Sequence, residues 1–266
     1  MAARSSNTWF FHGTTALAAS CIAVDGFRLL DEGLRHWGEG GLGSGIYLTR
    51  APTTAGFFSG DPGFALRVRL AAGTRMLRLT GEFDQRVIDS LRREFGAEIL
   101  AADFDKAIPR NKRLRPGELI HLFNYLWSKD LVRVFSDEHR AMRRYLAASQ
   151  YHGLGESATD TGIVIFNPSR LVLDSIWVWS QGKLSPPDFR RLIAKAVDTV
   201  SSLTRTATKP FVNATNDYER LHNEEVKLLR REVPRWARCV VRHAEQLKLP
   251  IDEQVVREAL ALAALR

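Results

Sequence analysis

Apolar positions along the chain first repeat at short, strand-like intervals and end in long helical ones. Residues 8–11 form a brief aromatic run bounded by polar residues, which predicts a buried strand running into His12-Gly13-Thr14. Beyond it Leu17, Cys21 and Val24 share a helical face, with Ala18 and Ile22 beside them. Thr14 or Thr15 caps that helix, and Gly26 ends it at the C′ position. Residues 27–30 read as a short extended piece, 46–49 as a strand, and 51–59 as a helix with Pro52 near its start and Thr53 and Thr54 in its first turn. Residues 65–70 alternate, with Leu66, Val68 and Leu70 inward and Arg67 and Arg69 outward, and 76–79 is a further short strand. The pattern is helical over about 82–150, including 85–95 and 117–127. Residues 163–166 then form a continuous apolar strand, Asn167-Pro168-Ser169 interrupts, and 170–178 is extended. After Pro186 and Pro187 only helices follow, at 187–203, 214–248 and 252–265, the middle one broken or kinked at Pro234.

Strands first and helices last predict an α+β protein. Its expected domains are 1–182, carrying a helical insertion at about 82–150, and a helical C-terminal extension at 183–266. With 45% apolar residues the chain has enough material for a core. Cys21 and Cys239 are far apart, and the seven histidines show no close zinc-like spacing, so no metal site is expected. No window of about 18 apolar residues exists, and the first residues lack a signal-peptide pattern. A reduced, cytoplasmic protein with no membrane partner is the simplest expectation.

Charge adds a second theme. The net charge is +8, and sixteen basic against eleven acidic residues follow Ser180, placing about five of those charges in the tail. A Pro-punctuated run at 108–116 adds Arg110, Lys112, Arg113 and Arg115. This balance suits a nucleic-acid or acidic-protein partner, set against a solvated loop and a basic surface that binds neither.

The Gly38-Glu39-Gly40-Gly41-Leu42-Gly43 stretch spells the dinucleotide fingerprint, but a strand follows it. That fingerprint needs a preceding strand and a following helix whose N-terminus holds pyrophosphate, so the stretch is a tight turn or a ligand-side loop instead. His12, Tyr47 and Phe57 carry more chemistry. Two aromatic rings can sandwich a flat heterocycle, an imidazole can bond a sugar hydroxyl, and glycine backbone such as Gly13 can approach a planar amide.

His12-Gly13-Thr14, then Gly45-Ile46-Tyr47-Leu48-Thr49, then Thr54-Ala55-Gly56-Phe57 resemble the NAD-binding core of the ADP-ribosyltransferases, in the diphtheria-toxin and poly(ADP-ribose) polymerase branch. The resemblance covers about residues 8–80 and 150–178 and implies a split antiparallel β-sheet. It places the adenosine ribose on His12, the nicotinamide amide on the Gly13 backbone, and the nicotinamide ring on Tyr47. Thr14 completes the first motif, while Thr54 and Phe57 stand for the family's Ser and second Tyr.

The family's catalytic glutamate precedes the strand at 163–166, where direct alignment here gives Thr161 or Gly162. Asp160 shares the facing parity of 162 and is favoured as the replacement; Glu156, in the loop before it, is the other candidate. A fixed carboxylate matters because departing nicotinamide leaves positive charge on the sugar. The resemblance thus implies mono-ADP-ribosyl transfer from NAD to a macromolecular acceptor, nucleic acid slightly ahead of protein, with NAD as co-substrate. By analogy with the family it implies a bacterial toxin, effector or anti-phage factor, with an antitoxin or regulatory protein as a further partner. The other reading is an inactive module that binds NAD or ADP-ribose. The RNA 2′-phosphotransferase branch fits less well, since no Arg-His start precedes Phe11.

Overall fold

The computed structural model describes residues 9–29, 39–40, 43–59, 63–78, 151–155, 162–211 and 216–265. The chain is α+β and divides into two compact units, the first formed by 1–35, 49–70 and 171–266, the second by 36–48 and 71–170.

The first unit is built on a four-stranded antiparallel sheet in the order β1 (Phe10–Thr14), β5 (Gly63–Leu70), β9 (Leu171–Ser180), β10 (Lys183–Ser185). Register pairs His12 with Leu66, and Leu66 in turn with Ile176. Because side chains alternate between faces, Phe10, Thr14, Phe64, Leu66, Val68 and Ile176 share one face, and all are buried. Helix α1 (Ala16–Asp25) packs on this sheet and against α3 (Phe189–Ala207) and α4 (Asp217–Leu247). The Thr15 side chain caps α1 by accepting a hydrogen bond from the Ala18 N–H, and Gly26, at φ 75°, ends it. Between β9 and β10 the chain turns in two residues, Gln181 and Gly182, both at positive φ, as the twist of a tight hairpin demands.

Helices that read as an appendage are therefore part of this unit: the residues from 183 onward share it with β1, α1 and β5. Helix α3 starts at Asp188, whose carboxylate accepts from the Arg190 and Arg191 N–H groups, and it buries Leu192, Ile193, Ala196 and Val200. One expectation is corrected here. Of the expected break or kink at Pro234, the break does not occur, since helix α4 is continuous from 217 to 247. Proline costs a helix about 3 kcal/mol, but α4 buries Val226, Leu229, Val233, Ala237, Val240 and Ala244 along one face, and that burial holds the helix together. The short piece at 27–29 pairs with no strand among the described residues, and Phe27 is a buried side chain after the helix cap. Helix α5 (Glu253–Ala261), capped by Asp252, packs on α3 and α4.

The second unit holds a four-stranded sheet ordered β4 (Ile46–Leu48), β8 (Ile163–Ile165), β7 (Gly153–Gly155), β6 (Met76–Arg78), and a two-stranded ladder of β2 (Glu39–Gly40) with β3 (Gly43–Ser44). Among its described residues Ile46, Leu48, Ile163, Val164, Ile165 and Phe166 are buried. The expectation of wholly antiparallel sheets is corrected at one pair, since β6 and β7 run parallel. The chain between them is long enough for the crossover that parallel strands require. The predicted helices at 85–95 and 117–127 and the basic run at 108–116 lie outside the described residues.

Candidate functional site

β1 is an edge strand, with β5 on one side. On the other side Phe11 donates its N–H to the Thr49 carbonyl at 2.7 Å and accepts from the Thr49 N–H at 2.9 Å. Backbone groups of an antiparallel strand alternate in direction, so the N–H and C=O of Gly13 lie along the same edge as those of Phe11. The pairing with Thr49 is a single bridge, and no strand among the described residues continues it past Gly13.

His12 belongs to the opposite register, on the face with Phe10 and Thr14. Its ring is half-buried and meets Phe27 edge-on, with centroids 5.7 Å apart. Thr14 is buried at the end of the strand, opposite Phe64.

Gly13 has a packing role beyond its backbone. A Cβ there would run into the Ala55 carbonyl of α2 (Pro52–Ser59), which lies on this side of β1. The same tight seating recurs at Gly56, whose missing Cβ is replaced by the Trp179 ring, and at Gly63 against Ser59. Glycines thus let α2 lie directly on β1, β5 and β9. The Thr49 hydroxyl accepts from the Ala51 N–H at 3.2 Å, fixing the approach to α2. Thr54 is exposed on α2, and the Phe57 side chain lies outside the described residues.

Tyr47 is the centre of β4, opposite Val164 and half-buried, and belongs to the second unit. His12, Gly13, Thr14 and Thr54 belong to the first. Asp160 and Glu156 lie outside the described residues. Gly162, one of the two positions that the resemblance aligns with an acid, carries no side chain, and a Cβ there would stand 3.1 Å from the Leu48 carbonyl; Thr161, the other, lies outside the described residues.

Sequence reasoning missed a surface ladder on the same sheet face as α2, beyond the part that the helix covers. The Arg67 guanidinium lies 4.7 Å from the Trp9 ring centroid and 5.9 Å from that of Trp177. Its Nε donates to Asp174 Oδ2 at 2.6 Å, and Ser175 Oγ donates to the same oxygen at 2.9 Å while accepting from Trp177 Nε1 at 3.0 Å. The alternation at 65–70 marked Arg67 as outward, but its partners come from strands distant in sequence.

In the second unit His152 ties strand ends together. Its Nδ1 accepts from the Arg75 N–H at 2.9 Å, its own N–H bonds the Arg75 carbonyl at 2.8 Å, and its carbonyl accepts from the Phe166 N–H at 2.9 Å. Nδ1 must be unprotonated to accept, which places the proton of the neutral ring on Nε2. Burial lowers its pKa, with Arg170 and then Arg75 adding to the effect.

No protein-family profile, curated protein or solved structure matches the chain. Among the described residues no group of three or more His, Cys, Asp or Glu side chains could hold a metal, and no helix is long and apolar enough to cross a membrane.

Proposed function

We propose that the protein is a mono-ADP-ribosyltransferase, using NAD as co-substrate and a macromolecule as acceptor. The observation that carries this reading is the edge of β1, where the Gly13 backbone follows the single Phe11–Thr49 bridge and His12 precedes it. A planar carboxamide needs one acceptor and one donor from an open backbone edge, and the absence of a further strand beside Gly13 among the described residues supports this reading.

In this reading the Gly13 N–H and C=O hold the nicotinamide amide, His12 bonds the ribose, and Tyr47 stacks on the nicotinamide ring. The bond from ribose C1″ to the nicotinamide nitrogen breaks, and nicotinamide leaves with the bonding pair. The acceptor's nucleophilic atom then bonds C1″ and loses its proton. Asp160, with Glu156 as the other candidate, supplies the carboxylate that stabilises the oxocarbenium-like sugar. Thr54 reaches the amide through its hydroxyl, and Phe57 closes the other face of the ring. The basic balance of the chain favours nucleic acid over protein as acceptor, in the setting of a bacterial toxin, effector or anti-phage factor under the control of an antitoxin or regulatory protein.

A second reading is a module that binds NAD or ADP-ribose without turnover. Gly162, without a carboxylate at the aligned position, favours it.

Nicotinamide release from NAD separates the two. The assay compares the native protein with Tyr47→Ala and Asp160→Ala, each with and without DNA, RNA or cell lysate. Release that depends on an added macromolecule and disappears in both variants is the expected result. NAD binding with no release under any condition would establish the binding module.

A further inference from the structure

Helix α4 carries a basic stripe on the side opposite its buried face. Lys227, Arg231, Arg235, Arg238 and Arg242 are spaced by four, four, three and four residues. At 3.6 residues per turn they fall within about 80° of arc and extend along roughly 22 Å of helix. Lys227, Arg231, Arg238 and Arg242 are exposed, and Arg235 is half-buried. No acidic residue of α4 falls inside this arc between Lys227 and Arg242.

Acids at its margins only partly offset the stripe. Glu224 meets Lys227 at 2.7 Å, Glu232 meets Arg231 at 3.0 Å and Arg235 at 3.6 Å, and Asp25 of α1 stands 3.8 Å from Arg242. Arg238 has no ion pair among the described residues. With exposed Glu245 three residues past Arg242 on the same arc, four acids face five cations, and a small positive excess that includes Arg238 runs along one rigid element.

We propose that this stripe docks the phosphate backbone of a nucleic-acid duplex. A duplex presents one negative charge per about 1.7 Å of its axis, a linear array that matches a linear cationic helix face. Membrane insertion is not an option for this helix, because its apolar residues are committed to the core against α1, α3 and α5. The stripe holds no aromatic side chain; Trp236 lies on the far side of the helix. Single strands are held by stacking on aromatic platforms as well as by charge, so a surface offering charge alone suits duplex phosphates without base recognition.

The inference concerns binding and does not rest on NAD chemistry, so the test uses no NAD. The full chain is titrated against a fluorescent 20-base-pair DNA duplex at several salt concentrations. The comparison proteins are Arg231→Gln/Arg238→Gln and a control, Lys183→Gln/Arg190→Gln, which removes two exposed cations elsewhere in the same unit. The stripe variant should bind about tenfold more weakly at low salt, with the slope of log affinity against log salt shallower by about two. The control should bind like the native protein. Unchanged binding by the stripe variant, an equal loss in the control, or no binding by any of the proteins overturns the proposal. Tighter binding to polyglutamate than to the duplex also overturns it, and points to an acidic protein as the partner.

Discussion

Phe11 and Thr49 exchange both backbone hydrogen bonds, at 2.7 and 2.9 Å, and this single bridge stops short of Gly13. Thr49 is also tied to Ala51 at the approach to α2, so the strand edge and the helix over it are set by neighbouring contacts. Gly13 answers to both: its backbone lies along the edge, and its missing side chain makes room for Ala55.

Gly13→Ala should therefore be costly. The added methyl meets the backbone of α2 rather than the tip of a flexible side chain, so helix or strand must shift, at about 2–3 kcal/mol. Gly26→Ala is the comparison, since it has a positive φ of 75° but nothing within 4 Å of the added atom. It should cost about 1 kcal/mol from backbone conformation alone. Thermal unfolding of the two variants checks the order; equal losses would contradict the packing role of Gly13.

His12→Ala tests the proposed ribose contact. The ring is half-buried, so the fold should survive, while one lost hydrogen bond should raise KM for NAD by about tenfold. Steady-state nicotinamide release, with circular dichroism as the fold control, measures this. A drop in kcat with KM unchanged would assign His12 to another task.

Stability should fall in mild acid. Burial lowers the pKa of His243, whose Nδ1 is buried without a hydrogen-bond partner, and burial together with Arg170 and Arg75 lowers that of His152. Glu245 and Arg242 lie near His243 in sequence on α4, and Phe189 of α3 faces its ring. Since both folded pKa values lie below the unfolded value of about 6.5, the unfolded chain takes up protons first. Stability is thus complete above about pH 6.5 and declines as pH falls through the folded values. Urea midpoints between pH 8 and pH 5 should drop, and the drop should be smaller in His243→Leu. A pH-independent midpoint would refute the argument.

Cys21 and Cys239, the chain's two cysteines, meet where α1 packs on α4. The Cys239 thiol donates to Asp25 Oδ2 at 3.1 Å, and a hydrogen bond with Cys239, reinforced by burial, raises the pKa of Cys21. Both side chains are buried, so an aromatic disulfide reagent should label neither in the native protein and both in denaturant. Rapid labelling of the native protein would show that the α1–α4 contact opens readily.

Much of the architecture was legible because it rests on local pattern. Helix α1 with its Thr15 and Gly26 ends, strand β5 and the three C-terminal helices all follow from periodicity and capping residues. Strand β7 was not legible: Gly-Leu-Gly has almost no strand signal, and it is extended because β8 and Met76 fill the space where Gly153 and Gly155 lack side chains. The parallel pairing of β6 with β7 and the continuity of α4 through Pro234 depend on distant partners and on burial, which periodicity does not encode. At the candidate site, the sequence singled out His12, Gly13 and Tyr47 but gave no hint that Gly13 is also where α2 rests. The packing of the tail was not legible for a similar reason, since only tertiary contact shows that α3 and α4 cover α1.

That cover has a consequence for synthesis. β1 and α1 leave the ribosome before α3 and α4, yet much of the surface that buries α1 belongs to those two helices, of which the latter ends at Leu247. The first unit cannot close during translation until those residues have emerged. Until then the nascent chain exposes α1's apolar side chains, a natural binding site for chaperones.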